Sequence, residues 1–265
     1  LKVAVARDKI RKNPTDTITL RKPDVVEDED DQRGYAMAPN EADRFLAAVG
    51  ELHRLYALYF VAFSTGMRQC ELIGLRWRHV HLAEKNGKKP FIAVREEIRK
   101  VAGKPTRLPP KSKHSRRDIP LDDETIAVLA AHRIRQHDER MRWRGQIPDW
   151  NPDDLVFPSE VGTPLGANNV RIHFKNALRR AYGLPKDKST WTEAQGRIYA
   201  IRFHDIRHSA GSLMLLSGAS IADVKEVLGH SSVAITAGIY LHSYEDTKRA
   251  AVAGAARLLR KKGAV

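Results

Sequence analysis

The chain reads as an α+β fold, mainly α-helical, with one small antiparallel sheet. Three observations predict it. Most of the chain repeats its apolar residues at the helical period, the span 77–121 breaks into short apolar segments between turn dipeptides, and no internal repeat organises the remainder. With 42% hydrophobic residues the chain can bury a core.

Residues 1–22 read as a short helix followed by Asn13-Pro14 and a polar exit, and residues 23–37 have the charged, aperiodic composition of a linker. The compact part is expected from Ala38. Asn40, with Asp43 three residues on, reads as the cap of a helix whose apolar positions are Phe45, Leu46 and Val49. A second helix over 52–64 is apolar on nearly all sides and so belongs at the centre. Thr65-Gly66 breaks it, and Arg68 opens another that runs to Leu75. Val80-His81-Leu82, Phe91 to Val94 and Asp118 to Leu121 read as the strands of the small sheet, punctuated by Asn86-Gly87 and Gly103. Helices follow at 123–143 (apolar at Ile126, Leu129, Ala130 and Ile134), 168–182, 204–217, 221–228 and 247–259. Ser220 opens and Gly229 closes the fourth of these.

The 265 residues carry 46 Lys and Arg against 32 Asp and Glu, a net charge of +14. Six of the acids lie between Asp24 and Asp31, so the rest of the chain is more basic still. Such a field points to a polyanionic partner, in the first place nucleic acid; a basic enzyme with solvated lysines is the plainer alternative. The longest apolar run, Leu55 to Phe63, is too short to span a membrane. Cys70 is the only cysteine, which excludes an internal disulfide framework and a cysteine zinc cluster and makes a reducing, cytoplasmic setting the expectation. The first residue is Leu and no signal-peptide core follows, so the chain is expected to be part of a longer protein.

Three separated segments carry chemistry. In Thr65-Gly66-Met67-Arg68-Gln69-Cys70-Glu71, Arg68 stands at the mouth of a helix with Glu71 one turn on, a pair that by itself reads as a surface ion pair. In His204-Asp205-Ile206-Arg207-His208, His204 and Arg207 share a helix face, opposite a packing stripe of Ile206, Ala210, Leu213, Met214 and Ser217. His204 and His208 have the spacing of a zinc pair, but the glutamate of such a site is missing and Arg207 would set a cation beside the metal. In the third, His230 follows the helix-ending Gly229, and Tyr240 stands ten residues later. Taken alone, a tyrosine there is more often a half-buried core residue than a nucleophile. Together, two arginines able to fork onto one phosphodiester, two histidines and a tyrosine fit phosphoryl transfer through Tyr240.

The set Arg68, His204-x-x-Arg207, His230 and Tyr240 lies within the strings TGMRQCELIGLRW and FHDIRHSAGSLMLLSGASIADVKEVLGHSSVAITAGIYLHS. It resembles the signature of the tyrosine recombinase (phage integrase) family, in that family's order and spacing, from about Ala38 to Arg249. The resemblance implies the family's catalytic fold over 38–249, with 1–22 the tail of a core-binding domain, 23–37 an acidic linker and 250–265 a C-terminal tail. It implies Arg68 and Arg207 as the phosphate clamp, Tyr240 as the nucleophile that forms a 3′-phosphotyrosine link, His204 and His230 as assistants, and Glu71 as a supporting acid. The family's hairpin lysine maps onto LPPKSKHSRRDIPL, with Lys111 the better match and Lys113 the alternative; a period of two would turn both to one side. Cys70 is read as packing, and Tyr244 lies four residues past the expected nucleophile.

The implied activity is site-specific DNA strand exchange through a Holliday junction, by an integrase of a phage or mobile element acting in a bacterial cytoplasm. The implied partners are double-stranded DNA, a homotetramer on that DNA and host DNA-bending factors, with no membrane, cofactor or metal. A topoisomerase of the same chemistry and a non-catalytic DNA-binding regulator of the same fold are the alternatives. In the basic stretch from Arg95 to Arg117, Arg99, Lys100, Lys104, Arg107, Arg116 and Arg117 are candidates for contacts to the DNA backbone, which position the duplex and read little sequence.

Overall fold

The computed structural model describes residues 34–85, 87–110 and 112–230. The helices expected within 1–22 and over 247–259, the acidic run Asp24 to Asp31, Lys111, Tyr240 and Tyr244 lie outside the described residues.

Helix α1 (Pro39–Val49) starts one residue before the expected cap. Pro39 occupies the first helical position, and the Glu41 carboxylate accepts from the Ala38 N–H at 2.9 Å, so Glu41 and not Asn40 satisfies the end. Helix α2 (Tyr56–Thr65) is shorter than the apolar run suggested, because residues 50–55 close two turns and leave Leu52 at 89% exposure. Helix α2 is buried on almost all sides. Tyr59 meets Phe45 of α1 edge-on at 5.1 Å, and Phe45 lies 5.1 Å from Phe174, which makes an aromatic centre for the core. Phe174 belongs to α5 (Ala167–Ala181), which packs on α1.

Helix α3 (Gln69–Gly74) is short and leads to the strands. They form two small sheets, where the sequence had suggested one. The first has the order β1 (Val80–His81), β2 (Phe91–Val94), β5 (Arg117–Pro120), all antiparallel, with Ile92 opposite both Val80 and Ile119, and Val94 opposite Arg117. The second is the ribbon β3 (Glu97–Val101) with β4 (Lys104–Leu108). Its two-residue turn has Ala102 at φ 47° and Gly103 at φ 84°, the pair of positive values that matches strand twist. Both strands are rich in charge and lack a clean apolar alternation, so only the turn announced them.

Helix α4 (Asp123–Trp143) has the expected span, capped by the Asp122 carboxylate on the Thr125 N–H at 2.9 Å. Its buried stripe is not the expected one. Thr125, Leu129, His132 and Gln136 face inward while Ile134 is 67% exposed. The polar members meet polar partners: Gln136 accepts from the Trp77 indole at 2.6 Å, and His132 Nε2 bonds the Val156 carbonyl at 2.7 Å.

Helices α6 (Glu193–Ala200), α7 (Asp205–Leu216) and α8 (Ile221–Leu228) complete the described part. Helix α6 was not foreseen, although Thr192 and Gln195 cap each other reciprocally at its start. Helix α7 packs against α2 and is buried nearly all round, so the two-faced helix expected there is instead a central one. Helix α8 packs on α7 and on β5.

Gly74 allows α3 to lie directly on β3. A Cβ there would stand 2.8 Å from the Ile98 nitrogen and 2.9 Å from the Glu97 backbone. Helix propensity favours alanine by up to about 1 kcal/mol, but overpacking against backbone costs about 1–3 kcal/mol. Gly74→Ala is therefore expected to lower the thermal midpoint, and an unchanged or raised midpoint would refute this close approach.

Candidate active site

Gly66 ends α2 in the left-handed conformation (φ 62°), and Arg68 then caps α3. A Cβ on Gly66 would lie 2.2 Å from Leu228 Cδ2, so this turn and the end of α8 touch. One turn along α3, Glu71 folds back. Its carboxylate accepts from the Arg68 N–H at 2.8 Å and from Arg68 Nη1 at 3.2 Å. The Arg68–Glu71 pair is not the surface pair that its spacing suggested: the Glu71 side chain is 0% exposed and that of Arg68 26%.

A third group completes the cluster. Arg117 Nη1 and Nη2 each donate to a Glu71 oxygen at 3.0 Å, a forked pair within the protein interior. Arg117 Nε also donates to the Val227 carbonyl at 2.5 Å and Nη1 to Ser115 at 3.0 Å. Burial pushes the Glu71 carboxyl upward, but the charge and hydrogen bonds of Arg117, with Arg68 and Arg207 nearby, override it and hold the group at about 2.

Arg207 brings the remaining segments together. From α7 its Nη1 donates to the Gly66 carbonyl at 2.7 Å and its Nη2 to the Leu228 carbonyl at 2.6 Å. Residues 141 and 21 positions away in sequence are thereby held by one guanidinium. His204 precedes α7, half-buried, and its ring meets that of His208 edge-on at 5.2 Å. His208 packs on Gly34, where a Cβ would stand 2.0 Å from its ring. Among the described residues no group of three or more His, Cys, Asp or Glu is arranged to hold a metal.

His230, 4% exposed, follows Gly229, whose φ of 71° ends α8. Gly229 abuts the Lys113–Ser115 turn: a Cβ would lie 2.9 Å from the His114 carbonyl and 3.1 Å from Arg117 Cδ. The end of α8 thus rests on the loop between β4 and β5. Lys111 of that loop lies outside the described residues. Lys113 begins a single 3-10 turn and not a strand, so the period-two argument for placing both lysines on one side does not apply.

The candidates for DNA-backbone contact divide. Lys100, Lys104 and Arg116 are exposed. Arg99 pairs with Glu97, and Arg107 turns to Asp153 at 3.0 Å and Glu96 at 3.4 Å. Arg117 departs from the expectation: its side chain is 7% exposed and its fork is directed at Glu71, so it belongs to the interior. A sequence signal for this existed. Counting back by two from the buried Ile119 puts Arg117 on the inward face of β5.

The family profile described as "Phage integrase family" matches residues 36–247. The chain belongs to the phage integrase family. It is 32% identical to a "Tyrosine recombinase XerC-like" protein of Caldanaerobacter subterraneus subsp. tengcongensis over 76% of this chain and 48% of that one. It is likewise 32% identical to an integrase of Streptomyces ambofaciens, over 91% of this chain and 56% of that one. The chain thus spans about half the length of the curated relatives it matches. In fold, this phage integrase family chain resembles the Tn1549 transposon integrase solved with transposon right end DNA, with a TM-score of 0.61 at 20% identity over 96% of this chain and 75% of that one. It also resembles XerA recombinase, with a TM-score of 0.53 at 19% identity over 90% and 66%. Those structures share its mainly helical architecture with small antiparallel sheets.

Two outcomes follow from the cluster. Glu71 titrates near 4.5 when unfolded and at about 2 when folded, so its contribution is present above pH 4.5 and disappears as the pH falls towards 2. By linkage it is worth on the order of 3 kcal/mol. Urea unfolding across that range should show Glu71→Gln less stable than the parent at pH 7, with the gap closing near pH 2; a gap independent of pH would refute the assignment. Cys70 donates to Glu97 at 3.1 Å, and burial followed by the Glu97 charge pushes its thiol up to about 12. Ellman's reagent should react with the native protein at pH 8 far more slowly than with the unfolded chain. Equal rates would contradict this placement.

Proposed function

We propose that the chain is the catalytic part of a tyrosine-type site-specific DNA recombinase, an integrase that cuts and rejoins DNA through a 3′-phosphotyrosine intermediate. The observation that carries this reading is Arg207 bonded to both Gly66 and Leu228. Those bonds gather the Arg68, His204/Arg207 and His230 segments around one point.

The Tyr240 oxygen attacks a DNA phosphorus, an O–P bond forms, and the bond to the 5′-oxygen breaks. Arg68 and Arg207 balance the charge that builds on the non-bridging oxygens. They do so unequally. Arg68 is the accessible member, whereas Arg207 is 2% exposed and acts as a fixed charge in the wall. Lys111, or Lys113 in its place, gives the leaving 5′-oxygen its proton, and His204 and His230 take up the tyrosine proton and bond the phosphate. One phosphodiester is exchanged for another, so the step as written draws on no nucleotide and no metal. Rejoining reverses it with a new 5′-hydroxyl. Strand exchange then takes a homotetramer on double-stranded DNA, a Holliday junction and host DNA-bending factors. Exposed Lys100, Lys104 and Arg116 support a salt-dependent grip on the backbone. The matched relatives are named recombinases and integrases, which supports the same reading.

A nicked suicide duplex bearing the end junction of the encoding element tests this. The parent chain should form a covalent adduct in the presence of EDTA, and Tyr240→Phe should bind the duplex equally and form none. An adduct with Tyr240→Phe would overturn the nucleophile. Relaxation of supercoiled plasmids lacking any junction would instead favour a topoisomerase, and binding without any adduct a regulator.

A further inference from the structure

Arg117 is a cation on the basic stretch, yet its side chain is 7% exposed and cannot reach a duplex. Its partners share a property. Glu71 lies one helical turn from Arg68, Val227 three residues before His230, and Ser115 two residues after Lys113. A carboxylate has about four lone-pair sites. Those of Glu71 receive four N–H groups, two from Arg68 and two from Arg117. Removing the Arg117 pair would leave a buried anion half-satisfied, and such a group protonates or moves. In either case the acceptor that fixes both the backbone and the guanidinium of Arg68 is altered.

We propose that Arg117 is a positioning residue of the strand-cleavage site, acting through Glu71 to fix Arg68 and through the Val227 carbonyl to fix the α8 end that carries His230. The inference rests on the recombinase reading above. Arg117 touches no substrate. It couples the strand after the lysine loop to the two other segments, so a displacement of any one is felt by the others.

The test compares Arg117→Gln, Glu71→Gln and the double variant on the suicide duplex at saturating DNA. The single-turnover rate should fall on the order of 100-fold for Arg117→Gln, the scale of loss for an ångström-sized displacement at a reacting centre. The DNA Kd and its salt slope should be unchanged. The double variant should be no slower than the worse single, because the two act as one unit. Arg117→Lys keeps the charge without the fork and should recover part of the rate; it also serves if the glutamine variant does not fold. Three results would overturn the proposal: a rate equal to the parent's, losses that multiply in the double variant, or a weaker Kd with the salt slope shallower by about 1, the mark of a phosphate contact. If the parent itself forms no adduct, the recombinase reading fails separately. Arg117 is then judged on DNA-free protein by the Arg68 Nε–H resonance, which should shift and broaden in Arg117→Gln; an unchanged resonance would sink the positioning role.

Discussion

One buried carboxylate organises much of this molecule. Glu71 sits beneath the start of a six-residue helix, at 0% side-chain exposure, and a charge there is tolerated only because two guanidinium groups surround it. Ion pairs of this kind add little net stability over a well-packed apolar substitute, since desolvation offsets most of the attraction. What they do impose is direction. A forked arginine meets a carboxylate in one plane and at one distance, so the strand bearing Arg117 and the helix bearing Glu71 cannot slide past each other without losing both bonds. The site inherits its geometry from that constraint.

Close backbone approaches do the rest. Gly66 lets the turn before Arg68 meet Leu228, Gly229 lets the end of α8 rest on the Lys113–Ser115 turn, and Gly74 lets α3 lie on β3. Two of these glycines also hold positive φ. A side chain added at Gly66 or Gly229 would separate segments that Arg207 and Arg117 pull together. Electrostatics and sterics therefore act on the same joints.

Much of this was legible in the sequence, and the parts that were not have physical reasons. Helix α8 could be read to the residue because its caps are local, Ser220 and Gly229, and helix α4 because its helical period runs over the whole of 123–143. The start of α1 was misread by two residues, with Ala38 and not Asn40 at the cap, because Pro39 and Glu41 outweighed Asn40. The β3–β4 ribbon was hidden because its strands are charged, and the buried stripe of α4 because His132 and Gln136 face inward to polar partners. At the site, residue types pointed to Arg68, His204, Arg207 and His230. The depth of Arg207, and the carboxylate that meets Arg117 in the interior, were not legible. Burial of a cation depends on which carboxylate and which carbonyls tertiary packing brings to it. Period-two counting places Arg117 inward, but only the fold supplies Glu71.

Arg207 makes its two short bonds to main-chain oxygens, those of Gly66 and Leu228. Every amino acid carries that oxygen. Exchange of side chains at either acceptor leaves the partner atom in place, so a conventional substitution scan has no means of deleting it and records only steric consequences there. The junction is written in the backbone. It is accessible to amide-to-ester replacement, which weakens one carbonyl at a time, and it stays intact through sequence drift that any side-chain partner would not survive.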